Sequence, residues 1–228
     1  MTSPLRSRRH WVIGDVHGCA DALRELIRLI PQGDPLVLCG DVINRGPQIL
    51  ETMELAWSLV ESGRAAWLQG NHEADLAKAL AKGSQQAQRV LAGCTTFRQL
   101  GERTCRQWLG RLANLPTTYT GDGWVATHAG FDPQTWQPDL NIRMAFWQAY
   151  DGRFGEVIIG HTPGPHVRRL NQIVMVDTGA CYGGELSAYC PETGAILQVP
   201  GLRNLAPTPA LAGSTSPAPL SEIGRAHV

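Results

Sequence analysis

Five short apolar runs in this chain each end in a turn where glycine stands close to an acidic, imidazole or amide side chain. The turns are Gly14-Asp15-Val16-His17-Gly18, Gly40-Asp41-Val42-Ile43-Asn44-Arg45-Gly46, Gly70-Asn71-His72-Glu73, His128-Ala129-Gly130 and Gly160-His161-Thr162. Short apolar runs bounded by such turns are typical of buried strands. Ligand sites of α/β proteins form beyond the carboxyl ends of their strands. The sequence therefore predicts that the five turns meet at one site.

The segments between these turns predict the secondary structure. Strands are expected at 11–13, 36–39, 65–68, 124–127, 156–159, 173–176, 186–190 and 196–199, and helices at 19–30, 47–61 and 73–82. Residues 83–120 are predicted to form a helical insertion. The early strands alternate with helices and the late strands follow one another. This order predicts an α/β sandwich, with sheets covered by helices.

Length and composition bound the domain organisation. The 228 residues are 43% hydrophobic, which is enough apolar material for one domain with a sizeable core. We expect that domain to span residues 1–203. Residues 204–228 are rich in Pro, Ala and Ser and are predicted to be a flexible tail. The last six of them, 223–228, look like a translated sequencing adapter and are set aside as an artefact.

Charge, hydropathy and cysteine spacing exclude several classes of partner. Twenty basic residues balance twenty acidic ones, which argues against a nucleic acid duplex as a partner. No apolar run approaches the ~20 residues of a membrane span, and no apolar leader is evident. None of the six cysteines forms a CxxC pair, so we interpret them as reduced thiols of a cytoplasmic protein. Nothing in the sequence indicates an obligate protein partner.

The residue types in the five turns are metal-ligand types. Asp15 and His17 are two positions apart, and in an extended segment they would point to the same side and share one ion. Asp41 arrives from the next strand, and its two carboxylate oxygens can bridge two ions. The residues predicted to complete the second site are Asn71, His128 and His161. The neighbouring His72 is expected to face the substrate.

A bridging ligand has a physical reason. Two divalent ions ~3.5–4 Å apart repel by roughly 19 kcal/mol at an effective dielectric constant near 20. A shared Asp41 carboxylate and a shared hydroxide would offset this repulsion, and the hydroxide would be a nucleophile near neutral pH. Mixed nitrogen and oxygen ligands without thiolate suit Mn, Fe or Zn better than Ca. The sequence thus predicts two divalent metal ions that attract and hydrolyse a phosphate compound.

The five ordered motifs resemble the phosphoprotein phosphatase family within the calcineurin-like metallophosphoesterases, over residues 11–199. The resemblance implies two mixed β-sheets in a sandwich flanked by helices, and Mn²⁺ as the common metal. It implies a first ion on Asp15, His17 and Asp41, and a second on Asp41, Asn71, His128 and His161. It further implies that Arg45 binds the phosphate and that His72 protonates the leaving oxygen. Asp177 lies in a further family-like segment and is assigned no ligand role.

Three positions depart from the protein phosphatases of this family. Asn44 stands where they have Asp, and an amide can orient the His72 ring but stabilises imidazolium less. Gln69 stands where bacterial and phage protein phosphatases have Arg. The stretch 147–149 also lacks the Arg that they carry, which leaves Arg143 or Arg153 as candidate replacements.

Symmetric dinucleoside tetraphosphatases and their relatives depart at the same positions, and they also resemble residues 177–184 of this chain. The resemblance therefore slightly favours symmetric hydrolysis of a dinucleoside tetraphosphate. A Ser/Thr protein phosphatase is the alternative, and a low-turnover phosphate-binding regulator is a second one. The expected substrate is accordingly a phosphorylated small molecule, a dinucleoside polyphosphate or a phosphoprotein.

Overall fold

The computed structural model describes residues 9–202. The predicted tail, 204–228, lies outside the described residues, so its prediction stays a prediction. The strands are β1 (Trp11–Ile13), β2 (Leu36–Leu38), β3 (Ala65–Trp67), β4 (Thr118–Thr120), β5 (Trp124–Thr127), β6 (Glu156–Ile159), β7 (Arg168–Leu170), β8 (Ile173–Met175), β9 (Glu185–Cys190) and β10 (Ala195–Pro200). The helices are α1 (Ala20–Leu29), α2 (Ile49–Glu61), α3 (Asn71–Lys82), α4 (Gln85–Gly93), α5 (Thr95–Ala113) and α6 (Met144–Ala149).

The strands form two five-stranded mixed sheets. The first has the order β10-β9-β1-β2-β3, and the second has the order β4-β5-β6-β8-β7. In the first sheet β1, β2 and β3 are parallel, and in the second β5, β6 and β8 are parallel. The predicted fold class, an α/β sandwich of two mixed sheets flanked by helices, is confirmed.

Side chains alternate across the first sheet with the period of two expected of strands. Trp11 and Ile13 pack with helix residues on one face, whereas Val12 between them packs toward the second sheet. In the second sheet Ala126 and Ile158 face the first sheet, and Val125 and its neighbours pack under α6. The apolar layer between the sheets therefore joins them into one body with helices on its outside.

Several predicted boundaries were wrong. Residues 118–120 form strand β4, antiparallel to β5, and do not end the helical insertion; their Thr-Tyr-Thr sequence has high strand propensity. Helix α2 begins at Ile49 rather than at Pro47, because Gln48 takes the cap position. Helix α3 begins at Asn71 rather than at Glu73. The short elements β7 and α6 were not predicted.

The carboxyl ends of the parallel strands of both sheets meet along one edge. There the backbone of Gly14, just after β1, lies against the carbonyl group of Val176, just after β8. A β-carbon at Gly14 would overlap that carbonyl oxygen, so only glycine allows the sheets to approach this closely. This close approach places the turns after β1, β2, β5 and β6 around a common space.

Within residues 9–202, no helix combines the length and the apolar character that crossing a bilayer requires.

The close approach of the two sheets at Gly14 predicts a specific loss of stability. Gly14→Ala should lower the free energy of unfolding by about 1–3 kcal/mol, because the new methyl group must displace backbone. Gly33→Ala is the matched control, since its β-carbon meets nothing within 4 Å; it should change stability by less than about 1 kcal/mol. Urea denaturation measures the free energy of unfolding of both variants. Equal stabilities would contradict the claim that the sheets approach too closely at Gly14 for a β-carbon.

Candidate metal centre

The turns after the parallel strands line a cavity of about 240 Å³. Asp15 and His17 follow β1, Asp41 follows β2, and Asn71 and His72 begin α3 directly after β3. His161 follows β6, and the fully buried His128, after β5, lies behind the cavity wall. The residues brought together are the six predicted from the sequence as metal ligands, together with His72 and Arg45.

Asp41 lies at the centre of this group. Its Oδ2 atom is 3.6 Å from His17 Nε2 on one side and 3.6 Å from His128 Nε2 on the other. The His17 Nε2 atom is in turn 3.8 Å from Asp15 Oδ2. One carboxylate therefore stands between two imidazoles, as a ligand shared by two neighbouring ions must.

A tight triangle of donor atoms lies on the second side. Asn71 Oδ1 is 2.9 Å from His128 Nε2 and 3.0 Å from His161 Nδ1, and the two ring nitrogens are 3.2 Å apart. Ligand atoms bound about 2.0–2.2 Å from a common ion lie about 3.0–3.5 Å from each other at tetrahedral or octahedral angles. The spacing of this triangle thus fits a shared cation.

The hydrogen bonds of two histidines fix which ring nitrogen is free. His17 Nδ1 donates to the carbonyl of Ile43 at 2.7 Å, and His128 Nδ1 donates to the carbonyl of Cys39 at 2.8 Å. The unprotonated Nε2 atom of each ring is then directed toward Asp41. Histidines that bind metals usually donate their other nitrogen to a backbone carbonyl or carboxylate in this way.

Burial sets the charge state of the group. It lowers the pKa of His17 to about 3 and that of His128 to about 4, so both rings are neutral and offer a lone pair. Burial also raises the pKa of Asp41 to about 7 and holds that of Asp15 well above its usual range. Buried carboxyl groups next to neutral imidazoles lack positive charge, which a bound cation would supply. The donor set therefore fits divalent metal ions.

Asp15 and His17 converge for a different reason than the sequence suggested. We expected an extended segment in which alternate side chains share a face. Instead His17 has φ of 45°, in the left-handed region, so the chain turns here. The two side chains meet because the turn folds back over Asp41, with His17 N donating to the Asp41 carbonyl at 2.9 Å.

Backbone strain is concentrated at this site. Of the seven non-glycine residues with positive φ in the described chain, five belong to the turns of the cavity: His17, Asp41, Asn44, Arg45 and His161. Such conformations cost of order 1–3 kcal/mol each and persist only where surrounding contacts hold them. The concentration indicates that side-chain placement at this site is maintained at the expense of local stability.

Glu73 supplies many of the contacts that hold these turns, and the sequence analysis did not foresee this role. Its fully buried carboxylate accepts hydrogen bonds from the backbone N–H groups of Asp41, Val42 and Ile43, at 2.8–3.3 Å. It also accepts one from Gly70 N at 3.0 Å. The available signal was its position three residues after Gly70, where Glu commonly binds the cap backbone of a helix.

His72 lies between Asn44 and Arg45. Asn44 Nδ2 is 2.7 Å from His72 Nδ1, and Arg45 Nη2 is 3.2 Å from His72 Nε2. The Arg45 Nε group also donates to His17 Nε2 at 3.1 Å, and the guanidinium lies 5.2 Å from the ring centre of Tyr182. Burial and the charge of Arg45 lower the pKa of His72 to about 4. Arg45 is thus a cation at the mouth of the cavity.

The structure separates the two candidate replacement arginines. Arg143 lines the cavity, donates to Thr162 Oγ1 at 3.1 Å, and contributes to the lowered pKa of His128 and of His161. Arg153 instead pairs with Asp151 at 2.7 Å and lies over the ring of Trp136, away from the cavity. Arg45 and Arg143 therefore both line the cavity, with Arg45 beside His17 and His72.

Asp177 and Tyr182 also line the cavity. The side chain of Asp177 is buried and accepts from Gly179 N at 3.0 Å. Tyr182 is exposed at the rim. Gln69, which takes the place of an arginine, points away from the cavity and donates to the Leu112 carbonyl at 2.9 Å.

Comparison with known proteins identifies the family. A model described as calcineurin-like phosphoesterase matches residues 8–172. The chain belongs to this family. Membership implies divalent metal ions, for which the residues described above offer candidate ligands.

The names of the curated relatives cover three activities. A symmetrical bis(5'-nucleosyl)-tetraphosphatase of Xylella fastidiosa is 32% identical over 59% of this chain and 46% of its own length. The chain thus spans about half the length of that relative. An asymmetrical bis(5'-nucleosyl)-tetraphosphatase of Geobacillus is 29% identical over 78% of this chain and 88% of its own. Serine/threonine-protein phosphatase 1 of Salmonella typhimurium is 30% identical over 79% of this chain and 90% of its own.

Solved structures support the fold. A candidate diadenosine tetraphosphatase superposes with a TM-score of 0.65 at 23% identity, over 88% of this chain and 96% of its own. A Saccharomyces cerevisiae protein serine/threonine phosphatase superposes with a TM-score of 0.57 at 13% identity, over 88% of this chain and 82% of its own.

The role of Glu73 can be tested by one substitution. Glu73→Gln should lower the free energy of unfolding by about 1–3 kcal/mol, because the new NH₂ group faces backbone donors that then lack an acceptor. The apparent affinity for Mn²⁺ should fall about 10-fold or more, since the loop carrying Asp41 loosens. Urea denaturation and calorimetric titration measure the two effects.

The matched control for this substitution is Asp75→Asn, which removes an exposed carboxylate from the same helix. It should change stability by less than about 0.5 kcal/mol and leave metal affinity unchanged. A Glu73→Gln protein as stable and as metal-avid as the control would refute the assignment.

Proposed function

We propose that this chain binds two divalent metal ions, one on Asp15, His17 and Asp41 and the other on Asp41, Asn71, His128 and His161. The support is the central carboxylate of Asp41, 3.6 Å from an imidazole nitrogen on each side. The mixture of carboxylate, amide and imidazole ligands without thiolate favours Mn²⁺, with Fe or Zn as alternatives. Bound ions would lower the pKa of a coordinated water and neutralise phosphate charge.

The residues around the ions have distinct proposed roles. Arg45 binds the phosphate under attack, because its guanidinium lies at the cavity mouth next to His17 and His72. His72 contacts the leaving oxygen and assists its departure. Asn44 holds the His72 ring through the hydrogen bond between Asn44 Nδ2 and His72 Nδ1. These three side chains orient the substrate and stabilise the charge that develops on it.

The proposed substrate class is a phosphoanhydride, with a dinucleoside tetraphosphate as the substrate. Arg143 carries this proposal, because it lines the same cavity as Arg45 and offers a second cation there. A chain of phosphate groups can contact both arginines, whereas a single phosphate ester presents one charged group. Asn44 agrees with it, since its amide provides no negative charge to aid protonation of a poor alcohol leaving group.

Symmetric cleavage, which releases two nucleoside diphosphates, is the preferred form of this proposal. It is supported by the symmetrical tetraphosphatases among the relatives, although asymmetrical ones match more of the chain. A Ser/Thr protein phosphatase is the second candidate, favoured by the Salmonella relative that is 30% identical over 79% of the chain. The six free thiols support a cytoplasmic location.

Hydrolysis assays with the metal-loaded protein test this function. Diadenosine tetraphosphate should be cleaved to ADP alone, and faster than a phosphoserine peptide. Asp41→Asn should reduce the rate by on the order of 10³-fold or more, whereas exposed Asp122→Asn should not change it. Formation of ATP and AMP would reassign the cleavage position, and exclusive peptide dephosphorylation would favour the protein phosphatase. If the unaltered protein turns over no faster than Asp41→Asn, the low-turnover phosphate-binding regulator is the remaining candidate.

The second phosphate contact has its own test. Arg143→Ala should reduce kcat/KM for diadenosine tetraphosphate about 10- to 100-fold, the range for losing a charge-assisted hydrogen bond. The same substitution should reduce hydrolysis of p-nitrophenyl phosphate much less, because a single phosphate remains on Arg45. Arg153→Ala is the control and should affect neither substrate. An equal reduction of kcat/KM for both substrates would show that Arg143 does not bind a second phosphate group.

A further inference from the structure

The helical insertion hydrogen-bonds the side chain of Asn44, in the turn after β2. The turn that begins α5 directs three donors at a single atom, Asn44 Oδ1. The donors are Thr96 N at 2.9 Å, Thr96 Oγ1 at 2.8 Å and Cys94 Sγ at 3.1 Å. The contact is reciprocal, since Asn44 N donates to Thr96 Oγ1 at 2.9 Å. Thr96 is fully buried and Asn44 is 6% exposed, so water does not compete for these bonds.

These donors fix the orientation of the Asn44 amide. A backbone N–H can only donate, so the atom 2.9 Å from Thr96 N must be the amide oxygen. A flipped amide would set its NH₂ group against that N–H and leave both buried donors unsatisfied. The NH₂ group therefore faces His72, with Asn44 Nδ2 at 2.7 Å from His72 Nδ1.

The fixed amide selects one tautomer of His72. Since Asn44 Nδ2 can only donate, His72 Nδ1 must accept, and the ring hydrogen of the neutral imidazole lies on Nε2. The protonated Nε2 is directed into the cavity, 3.8 Å from Asp41 Oδ2. Arg45 Nη2, 3.2 Å from that nitrogen, then faces a donor and gains no hydrogen bond from it. The Nη2 group of the guanidinium is thereby left available to a phosphate.

We propose that Thr96 is a positioning residue of the active site, which acts through Asn44 to hold His72 with its hydrogen on Nε2. The insertion formed by α4 and α5 is then part of the catalytic apparatus and not only a cover of the sheet. The inference rests on the proposed function where it concerns turnover, because His72 must face the substrate. The tautomer itself is independent of any substrate.

Nitrogen NMR of the zinc-loaded, ¹⁵N-histidine-labelled protein tests the tautomer. Zinc is the probe because it is diamagnetic. His72 is expected to show a protonated Nε2 and an unprotonated Nδ1. In Asn44→Asp the carboxylate accepts from the ring, so Nδ1 should become protonated. A protonated Nδ1 in the unaltered protein, or no change in Asn44→Asp, would overturn the inference.

Kinetics test the positioning by Thr96. Thr96→Val should reduce kcat about 3- to 10-fold with little change in KM, and Thr96→Ser should restore most of it. Thr96→Val added to Asn44→Ala should cause no further loss, because the link is already broken. The control is Thr52→Val, which removes another fully buried hydroxyl and should leave kcat within about 2-fold.

The outcomes separate this inference from the proposed function. If neither the unaltered protein nor any variant hydrolyses a substrate, the proposed function fails. The NMR result still decides the tautomer of His72. If the protein is active but Thr96→Val behaves like Thr52→Val, the inference fails and the function stands. Should Thr96→Val not fold, Thr96→Ser and Asn44→Ala decide it: a kcat unaffected by Asn44→Ala and an unchanged His72 tautomer would refute the link.

Discussion

The candidate metal centre depends on the hydrogen bonds accepted by the fully buried carboxylate of Glu73. It accepts from four backbone N–H groups, three in the turn after β2 and one at Gly70. That turn carries Asp41, the only carboxylate with an imidazole nitrogen 3.6 Å away on each side within residues 9–202. The same helix, α3, carries Asn71 and His72. One side chain therefore holds the turn after β2 in place against the helix that follows β3, and so fixes Asp41 relative to Asn71 and His72.

The site is built from backbone that would not be stable in isolation. His17, Asp41, Asn44, Arg45 and His161 all have positive φ, which costs of order 1–3 kcal/mol at each residue. The contacts of Glu73, the bond from His17 N to the Asp41 carbonyl and the bond from Asn44 N to Thr96 offset this cost. Bound cations would stabilise the site further, because they would compensate the negative charge of the buried carboxylates. The turns are held against two strands that meet at Gly14: β1, which precedes it, and β8, which precedes Val176.

The sequence predicted the fold class and the identity of the residues that converge, because both follow from local patterns. Short apolar runs that end in Gly-Asp, Gly-Asn-His or Gly-His carry their own signal for a strand followed by a ligand turn. The outer elements were less predictable. Strand β4 exists because Thr118–Thr120 pairs with β5, and such pairing depends on tertiary contacts more than on propensity. The ligand roles themselves remain predictions that metal-binding measurements must test.

Other features of the site could not be read from the sequence, because they depend on which distant segments meet. Arg143 and Arg153 were equivalent candidates by position, yet one lines the cavity and the other is neutralised by Asp151. Glu73 was evident as the acidic residue in the first turn of a helix but not as the acceptor for a turn 30 residues earlier. Thr96 lies 52 residues from Asn44 and carries no motif.

Position 44 shows how one atom can direct the chemistry of such a site. The donors from the first turn of α5 require an oxygen there, and either an amide or a carboxylate supplies it. The two differ in the second group, which faces His72: an amide can only donate to the ring, whereas a carboxylate can only accept. The contacts of that oxygen therefore suit both residues, while the hydrogen of His72 would move from one ring nitrogen to the other. A departing phosphate anion demands little of that hydrogen and an alcohol demands more, so under the proposed function the residue at position 44 would favour one substrate class over the other without altering the proposed metal ligands.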